Sequence, residues 1–345
     1  MITPKSSGYF FPAEWEKHEA TWLTYPYHEE SFPGKMELVT EPYHKFIRIL
    51  AASEKVRINV HSEAEKERLT TLFAAEEMPE GQLELFVHPG NDVWCRDHGP
   101  SFVINPLADE KKGVVNWHFN AWGGKYPHDL DNRIAGAVAR HFGYPLFEPE
   151  IVMEGGSIEV NGRGTLMTTT ACLLNKNRNP HLSRTEIESY LCNYYNVQNL
   201  IWLADGIEGD DTDGHIDDIA RFVAPDKIVV VSESRKTDSN WLPLQKNLTL
   251  LKTMRLENGK QPDIIELPMP DPVVHNDIRL PASYANFYIS NRAVVVPTFR
   301  CKKDERAMEI LASCFPGRII VGIDSTDIVW GFGSFHCLSQ QEPLV

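Results

Sequence analysis

The 345-residue sequence has no cysteine pair of the CxxC type, no excess of positive charge and no apolar run long enough to cross a membrane. Its six cysteines are scattered, which argues against a zinc ribbon and, in a reducing compartment, against structural disulfides. Lys and Arg number 34 against 48 Asp and Glu, so the formal net charge of −14 disfavours a nucleic-acid partner and favours a small cationic ligand. The N-terminal segment lacks the basic start and apolar stretch of a signal peptide, so we expect a cytoplasmic protein that contacts no membrane.

What the sequence does contain is ample apolar material and a recurring order of elements. Hydrophobic residues make up 42% of the chain, and no linker, low-complexity segment or charge block divides it, which favours a single domain over 1–345. Segments of period 2 pair as hairpins, a segment of helical period follows each hairpin, and a single apolar strand follows most helices. The predicted hairpins are SFVINP with KGVVNWHFN, SIEVNG with GTLMTTT, IARFVAP with KIVVVSES, and NFYIS with AVVVPTF.

The N-terminal region supplies the fifth unit in a different order. It contains EATWLTYP, a helix over about 36–53, the strand VRINVHS, a second helix near 64–76, and the strand LELFVHP. EATWLTYP lacks a hairpin partner nearby, so we expect it to pair with the segment around Cys337 and to close a ring of units. The predicted fold is therefore an α/β protein with pseudo-fivefold symmetry.

Unusual residues collect where the single strand of one unit passes into the hairpin of the next. These junctions read DVWCRDHGP, MEGGS, GDDTDGHIDD, VHNDIRLPASY and GFGSFHC. If the units surround a pseudo-fivefold axis, equivalent junctions meet at the centre and form one pocket. The residues gathered in this way would be Asp97, Glu154, His215, Asp217 and Cys337.

The gathered residue types suit one chemistry. A thiol becomes a useful nucleophile when a histidine or a cationic substrate stabilises its thiolate, and Cys337 has both prospects. Strand alternation would aim His215 and Asp217 at one face and Asp218 at the other, so we favour Asp217 as the second carboxylate beside Asp97. Two carboxylates in one pocket match the paired N–H groups of a planar guanidinium cation.

With these motifs the sequence resembles the agmatine deiminase and bacterial peptidylarginine deiminase family of guanidine-modifying enzymes. The motifs run in order over nearly the whole chain: FPAEWEKHEATW, WCRDHGP, EGGS, NKNRNPH, DTDGHIDDIARF, SYANFYISN and HCLSQQ. The resemblance implies the pentein fold, a five-bladed α/β propeller. It also implies hydrolysis of a guanidinium group through a Cys-linked covalent intermediate, with neither a metal nor an organic cofactor.

The resemblance implies a role for each gathered residue. Cys337 would be the nucleophile and His215 the general acid and base. Asp97 and Asp217 would bind the guanidinium, and Glu154 would orient His215 or stabilise its protonated form. The thiolate would attack the guanidinium carbon, ammonia would leave, and water activated by His215 would release a ureido product.

The charge at the end of the substrate away from the guanidinium distinguishes the candidate substrates. Agmatine presents a second cation where arginine and peptidyl-arginine carry a carboxylate or an amide, so its site should offer carboxylate or aromatic surface and no Arg clamp. Trp94, Asp211 and Tyr284 belong to the junctions, and we expect them to bind the chain and the distal amine of the substrate. This favours hydrolysis of agmatine to N-carbamoylputrescine and ammonia, a reaction of putrescine and polyamine biosynthesis.

The sequence leaves other substrates and reactions open. Conversion of peptidyl-arginine to citrulline is the main alternative, because TWLTYPYHEESFPG lacks the Trp-Pro and Asn-Trp-Arg pattern expected of agmatine deiminases and has Tyr25 in place of the tryptophan. Transfer of the amidino group to an amine would use the same intermediate. A catalytically silent guanidine-binding protein is disfavoured, because all five chemical positions are filled.

A metal hydrolase is a further alternative, and it would leave Cys337 unexplained. Its ligands would be drawn from His215, Asp217, Asp97 and His98. We expect His336 to be turned away from the site by strand alternation and to have a structural role. A homodimer is the expected assembly. The remaining cysteines, expected to be inert thiols, are Cys95, Cys172, Cys192, Cys301 and Cys314.

Overall fold

The computed structural model describes residues 2–76 and 78–345 as an α/β protein. Among these residues, no helix combines the length and the apolar character needed to cross a bilayer. Short 3₁₀ turns lie at Lys5–Ser7, Gly155–Ser157, Ile216–Asp218 and Ile328–Gly331. The helices α1 to α9 are Met36–Ala51, Glu63–Ala75, Cys95–His98, Ala121–Gly124, Asp131–Phe142, Thr170–Leu173, Arg184–Tyr194, Trp241–Leu251 and Lys303–Cys314.

The strands of the described residues fall into five larger sheets and one isolated hairpin. The strands β1 to β9 are His18–Thr24, Lys55–Val60, Leu83–Val87, Ser101–Ile104, Lys112–Val115, Leu146–Phe147, Glu159–Val160, Thr165–Thr169 and Asn199–Leu203. The strands β10 to β18 are Ala220–Ala224, Lys227–Ser232, Asp263–Pro268, Val274–His275, Ile278–Arg279, Tyr288–Ile289, Ala293–Thr298, Ile319–Asp324 and Ser339–Pro343.

Four of these sheets repeat one connection. In each, an antiparallel hairpin is extended by a third strand that runs parallel to the second, and a helix links the second strand to the third. The sheets are β4-β5-β6, β7-β8-β9, β10-β11-β12 and β15-β16-β17, with α5, α7, α8 and α9 as the linking helices. The predicted hairpin, helix, strand unit is therefore confirmed.

The fifth sheet joins the two ends of the sequence in the order β18-β1-β2-β3. β18 runs antiparallel to β1, with Leu23 opposite Ser339 and His18 opposite Pro343, while β2 and β3 continue the sheet in parallel. The prediction that EATWLTYP pairs with the segment around Cys337 is thus confirmed. This pairing places the turn that carries Cys337 immediately before β18.

Local chemistry accounts for most element boundaries. Ser183 and Glu186 form the capping box at the start of α7, and α5 ends at Gly143, whose φ of 74° is the left-handed conformation that favours glycine. The helix α8 begins at Trp241 and ends at Leu251. The junction VHNDIRLPASY contains the two-stranded hairpin β13-β14, which the sequence patterns did not predict.

Candidate active site

A cavity of about 220 Å³ opens above the turn that carries Cys337. Cys337 and Asp97 lie at its floor, and Trp94 and Asp211 also line it. Three of these residues come from α3 and its flanks or from the segment before β18, which are two of the predicted junctions. The structure therefore brings junction residues that are distant in sequence into one concave site.

Cys337 is buried, and two side chains contact its sulfur. Asn286 Nδ2 donates to Sγ over 2.9 Å, and the thiol lies 3.5 Å from Asp217 Oδ2. Burial, together with the nearby charges of Asp217, Asp218 and Asp97, raises the pKa of the Cys337 thiol well above its usual value. In the empty cavity the sulfur is therefore a neutral thiol, and a cation beside it would favour the thiolate.

Asp97 is the first carboxylate of the site. Its Oδ2 accepts a hydrogen bond from Trp122 Nε1 over 2.9 Å, and its Oδ1 accepts the Gly156 N–H over 2.8 Å. Burial first, and then the charges of Asp217 and Glu154, raise its pKa well above the usual range. Both effects favour the protonated form of Asp97. The contact with Trp122 was not predicted from the sequence.

Asp217 is the second carboxylate, and its environment is the opposite. His336 Nδ1 lies 2.7 Å from Asp217 Oδ2. Burial alone would raise the pKa of Asp217, but the hydrogen bond and charge of His336 hold it below its usual value. The pKa values of the two carboxylates are therefore shifted in opposite directions, a difference that no sequence pattern indicates.

The side chains of His215, Asp97 and Asp217 come together beside Gly156. His215 Nδ1 is 3.7 Å from Asp97 Oδ1. A Cβ at position 156 would lie within 3.1 Å of His215, Asp97 and Asp217, so only glycine leaves room for their approach. Burial lowers the pKa of His215 to about 3, so its imidazole is neutral. Neither ring nitrogen has a hydrogen-bond partner among the described residues.

Glu154 is fully buried and pairs with Arg178. Arg178 Nε donates to Glu154 Oε1 over 2.7 Å, whereas Glu154 Oε2 has no hydrogen-bond partner among the described residues. One carboxylate oxygen of Glu154 lies within 4.8 Å of a His215 ring nitrogen, as does the sulfur of Cys172. Burial raises the pKa of Glu154. Arg178 lies in the motif NKNRNPH, but its role was not predicted.

The local geometry around His215 differs from the prediction. His215 precedes the 3₁₀ turn Ile216–Asp218, so strand alternation does not apply there. Asp218 does not point to an opposite face: carboxylate oxygens of Asp217 and Asp218 and the sulfur of Cys337 all lie within 4.8 Å of one another. Burial and the charge of Asp217 raise the pKa of Asp218 well above its usual value. Asp217 and Asp218 are therefore distinguished by the direction of their pKa shifts and not by the face to which they point.

His336 also departs from the strand model, because it lies in the turn before β18. As expected, its ring does not line the cavity. One ring nitrogen contacts Asp217 and the other contacts Glu14. His336 thus has a polar contact with a site residue that alternation did not predict.

Two of the three residues expected to bind the rest of the substrate line the cavity. Trp94 forms a wall, and Gly333 passes so close that an added Cβ would lie 2.5 Å from its ring. Asp211 lies at the mouth, where its Oδ2 accepts a hydrogen bond from Tyr126 over 2.8 Å and its Oδ1 lies 3.3 Å from Lys125 Nζ. Asp211 is therefore already paired when the cavity is empty.

Tyr284 is placed elsewhere, which corrects the expectation. It is fully buried and does not line the cavity in the part of the chain that the structure describes. Its hydroxyl donates to Asp304 Oδ1 over 2.6 Å and lies 3.1 Å from the sulfur of Cys301. These contacts give Tyr284 a packing role under α9.

The atypical segment TWLTYPYHEESFPG lies partly in the outer wall. His28, Glu30 and Ser31 line the cavity, whereas Tyr25 is buried away from it and its hydroxyl lies 2.9 Å from His44 Nε2. The replacement at position 25 therefore does not change the cavity directly. The departure that matters lies at residues 28–31.

Two groups of side chains have ligand atoms close enough to hold a metal ion. They are Glu154 with Cys172 and His215, and Asp217 with Asp218 and Cys337. The metal set considered from the sequence does not assemble among the described residues, because His215 and Asp217 fall in different groups and neither group contains Asp97 or His98.

The family model for Porphyromonas-type peptidyl-arginine deiminases matches residues 10–343. An agmatine deiminase of Ectopseudomonas mendocina is 34% identical over 365 aligned residues, which cover 99% of this chain and 97% of that protein. The solved structure of the Enterococcus faecalis agmatine deiminase has a TM-score of 0.90 and 31% identity, and covers 99% of this chain and 98% of its own.

A second solved structure, a C. jejuni agmatine deiminase with substrate bound, has a TM-score of 0.87 and 32% identity, and covers 97% of this chain and 96% of its own. The similarity to agmatine deiminases therefore extends over nearly the full length, in sequence and in fold. The chain belongs to the Porphyromonas-type peptidyl-arginine deiminase family, which confirms the resemblance inferred from its motifs.

Proposed function

We propose that this protein is an agmatine deiminase that hydrolyses agmatine to N-carbamoylputrescine and ammonia. The observation that carries the proposal is the cavity, whose lining combines the thiol of Cys337, the carboxylate of Asp97 and an acidic, aromatic wall, with Asp217 lying 3.5 Å from the thiol. Among the described residues that line it, none is Arg or Lys. A substrate with a cation at each end suits such a cavity better than one with a distal carboxylate.

The floor accounts for binding of the guanidinium end. Asp217 supplies a negative charge, and Asp97 supplies a second carboxylate that can lose its proton when a cation arrives. The planar guanidinium would donate paired N–H groups to the two side chains. The same cation would lower the pKa of Cys337, so substrate binding and activation of the nucleophile would be coupled.

The proposed reaction begins with transfer of the thiol proton from Cys337 to His215, whose neutral imidazole can accept it. The sulfur attacks the guanidinium carbon, the carbon–nitrogen bond to the departing amino group breaks, and His215 returns the proton to that nitrogen as ammonia leaves. His215 then removes a proton from water, which attacks the thiouronium carbon. The carbon–sulfur bond breaks, the sulfur takes the hydroxyl proton of the adduct as the ureido product leaves, and His215 releases its proton to solvent. Glu154, fixed by Arg178, would orient His215 and stabilise its protonated form.

The distal amine would meet the acidic and aromatic mouth of the cavity. Asp211 could bind it after exchanging its contact with Lys125, and Glu30 and Asp92 also line the cavity. Trp94 would pack against the methylene chain of the substrate. Tyr284 has no part in this proposal.

The architecture that we propose for this site is a single domain of five blades. The four repeated sheets and the sheet β18-β1-β2-β3 would be the blades, and the junctions between them would form the centre. The TM-scores of 0.90 and 0.87 against family structures support this arrangement. Cytoplasmic location and a homodimer stay predictions from the sequence.

A parallel ammonia-release assay on agmatine, free arginine and an arginine-containing peptide tests the proposal. We expect the highest kcat/KM with agmatine and no ammonia from the Cys337→Ala variant. A higher kcat/KM with the peptide would favour peptidylarginine deiminase activity and leave the deiminase chemistry standing. Transfer of the amidino group to an added amine without ammonia release would instead indicate an amidinotransferase.

A further inference from the structure

His336 lies between two buried carboxylates, and one of them, Asp217, also lies 3.5 Å from the thiol of Cys337. Its Nδ1 is 2.7 Å from Asp217 Oδ2, and its Nε2 is 2.8 Å from Glu14 Oε2. An ionised carboxylate can only accept hydrogen bonds, so both ring nitrogens carry a hydrogen when both carboxylates are ionised. The ring is then a cation that links Asp217 to Glu14.

Glu14 is itself held in place from three sides. Its Oε1 accepts the Ile289 N–H over 2.9 Å, its Oε2 accepts Arg221 Nη2 over 2.8 Å, and Arg96 Nη2 lies 3.5 Å from Oε2. Burial alone would raise the pKa of Glu14, but Arg221 and His336 hold it well below its usual range. Glu14 is therefore a fixed anion, and this gives the motif FPAEWEKHEATW a part near the site.

Asp97, the other carboxylate of the site, has no comparable set of charged partners within residues 2–76 and 78–345. Asp97 accepts hydrogen bonds from Trp122 and Gly156, and among the described residues it forms no ion pair with Lys or Arg. Its only basic neighbour within 4 Å there is His215, whose imidazole is neutral. The difference in pKa shift between Asp97 and Asp217 therefore originates at His336, which contacts Asp217 and does not line the cavity.

We propose that His336, held by Glu14, is a positioning residue whose hydrogen bond orients Asp217 toward the guanidinium and stabilises its carboxylate form. This inference rests on the proposed function. The cavity then carries one ionised carboxylate before the substrate enters, which attracts the cation without the repulsion of two unscreened charges. The second negative charge forms only after a cation is present to offset it.

Other groups that face this pair must be considered when a pH profile is read. Those that face Asp217 are His336, Cys337, His215, Asp97, Asp218 and Arg221. Those that face His336 are Asp217, Glu14, Glu159 and Arg96. The two replacements described next each remove one of the two ring contacts of His336, with Asp217 or with Glu14.

Two amide replacements separate the two contacts of the ring. In His336→Asn the amide nitrogen takes roughly the place of Nδ1, so it can still donate to Asp217 but does not reach Glu14. In His336→Gln the amide nitrogen takes roughly the place of Nε2, so it keeps Glu14 and loses Asp217. Both variants lose the charge of the ring and each keeps one of its two contacts, so the difference between them compares the contact with Asp217 against the contact with Glu14.

We expect kcat/KM for agmatine to fall by roughly tenfold to a hundredfold more in His336→Gln than in His336→Asn, mainly through KM. The acid limb of kcat/KM should also move to higher pH in His336→Gln. The direction follows because loss of the hydrogen bond raises the pKa of Asp217, so its ionised form is lost at a higher pH. Melting temperatures of both variants show whether each is folded.

Glu14→Gln and Glu159→Gln form a matched pair of controls. Both residues bind Arg221, but only Glu14 contacts His336. The acid limb should move in Glu14→Gln and stay in place in Glu159→Gln.

Equal kinetic losses in both His336 variants with an unmoved acid limb would overturn the proposal and leave a structural role. Wild-type activity on agmatine, arginine and the peptide tests the proposed function separately, so its failure is distinguished from a failure of the proposal for His336. If the wild type turns over a different guanidine, the variants are compared on that substrate.

Discussion

Replacement of Gly156 by alanine should disable the site without unfolding the protein, because the new methyl group would enter the space where three side chains meet. Its carbon would lie 2.6 Å from His215 Nδ1, 2.9 Å from Asp97 Oδ1 and 3.1 Å from Asp217 Oδ2. Ordinary contact begins near 3.4 Å, so His215 would have to move by about 0.8 Å and the carboxylates by a few tenths of an ångström.

The expected effects on turnover and on stability differ in size. A misplacement of about 1 Å can lower catalysis about a hundredfold, whereas overpacking a buried site typically costs about 1–3 kcal/mol of unfolding free energy. We therefore expect kcat/KM on agmatine to fall by about two powers of ten. The variant should still unfold cooperatively in urea. Ammonia release and urea denaturation measure the two quantities.

Gly317→Ala is the matched control, because no atom lies within 4 Å of the Cβ that it would add and its φ is not left-handed. It should leave both kcat/KM and the free energy of unfolding unchanged. Near-normal kcat/KM in Gly156→Ala would refute the reasoning that these three side chains need their present spacing. A loss of activity no greater than the loss of folded protein would refute it as well.

Three further changes test single assignments. Cys337→Ala should abolish ammonia release and Cys95→Ala should leave it largely intact; residual turnover in the first would exclude the covalent route. Arg178→Met removes the cation from buried Glu154 and should cost about 3–5 kcal/mol in urea unfolding. Since burial raises the pKa of Glu154, the folded state gains stability from the protonated carboxyl, so this loss should grow as pH rises, and a loss independent of pH would contradict the charge argument. Tyr284→Phe should leave the KM for agmatine unchanged, and a raised KM would return Tyr284 to the site.

Much of the fold could be predicted because its signals are local. Alternating strands, helical periods and caps such as Ser183 each depend on residues a few positions apart, and the structure has them in the expected order. Element ends were less certain: α8 stops at Leu251, where the apolar pattern alone gave no boundary. The pairing of β1 with β18 was predicted by elimination, since EATWLTYP had no hairpin partner of its own.

The meeting of the site residues could also be predicted, because a repeated unit carries equivalent junctions to equivalent places. This brought Asp97, Asp217 and Cys337 to one floor although 240 positions separate the first from the last. The prediction for Tyr284 failed for a related reason. Its junction was identified correctly, but the direction of its side chain depends on packing against Asp304, which no repeat determines.

The sequence by itself determined the elements, their order and the kinds of residue gathered at the centre. Only the tertiary structure decided which of these residues are charged. His336, held by Glu14, keeps the pKa of Asp217 below its usual value, whereas burial and the neighbouring charges of Asp217 and Glu154 raise the pKa of Asp97. A pKa depends on burial and on groups within a few ångströms, and those groups come from segments that no local pattern connects.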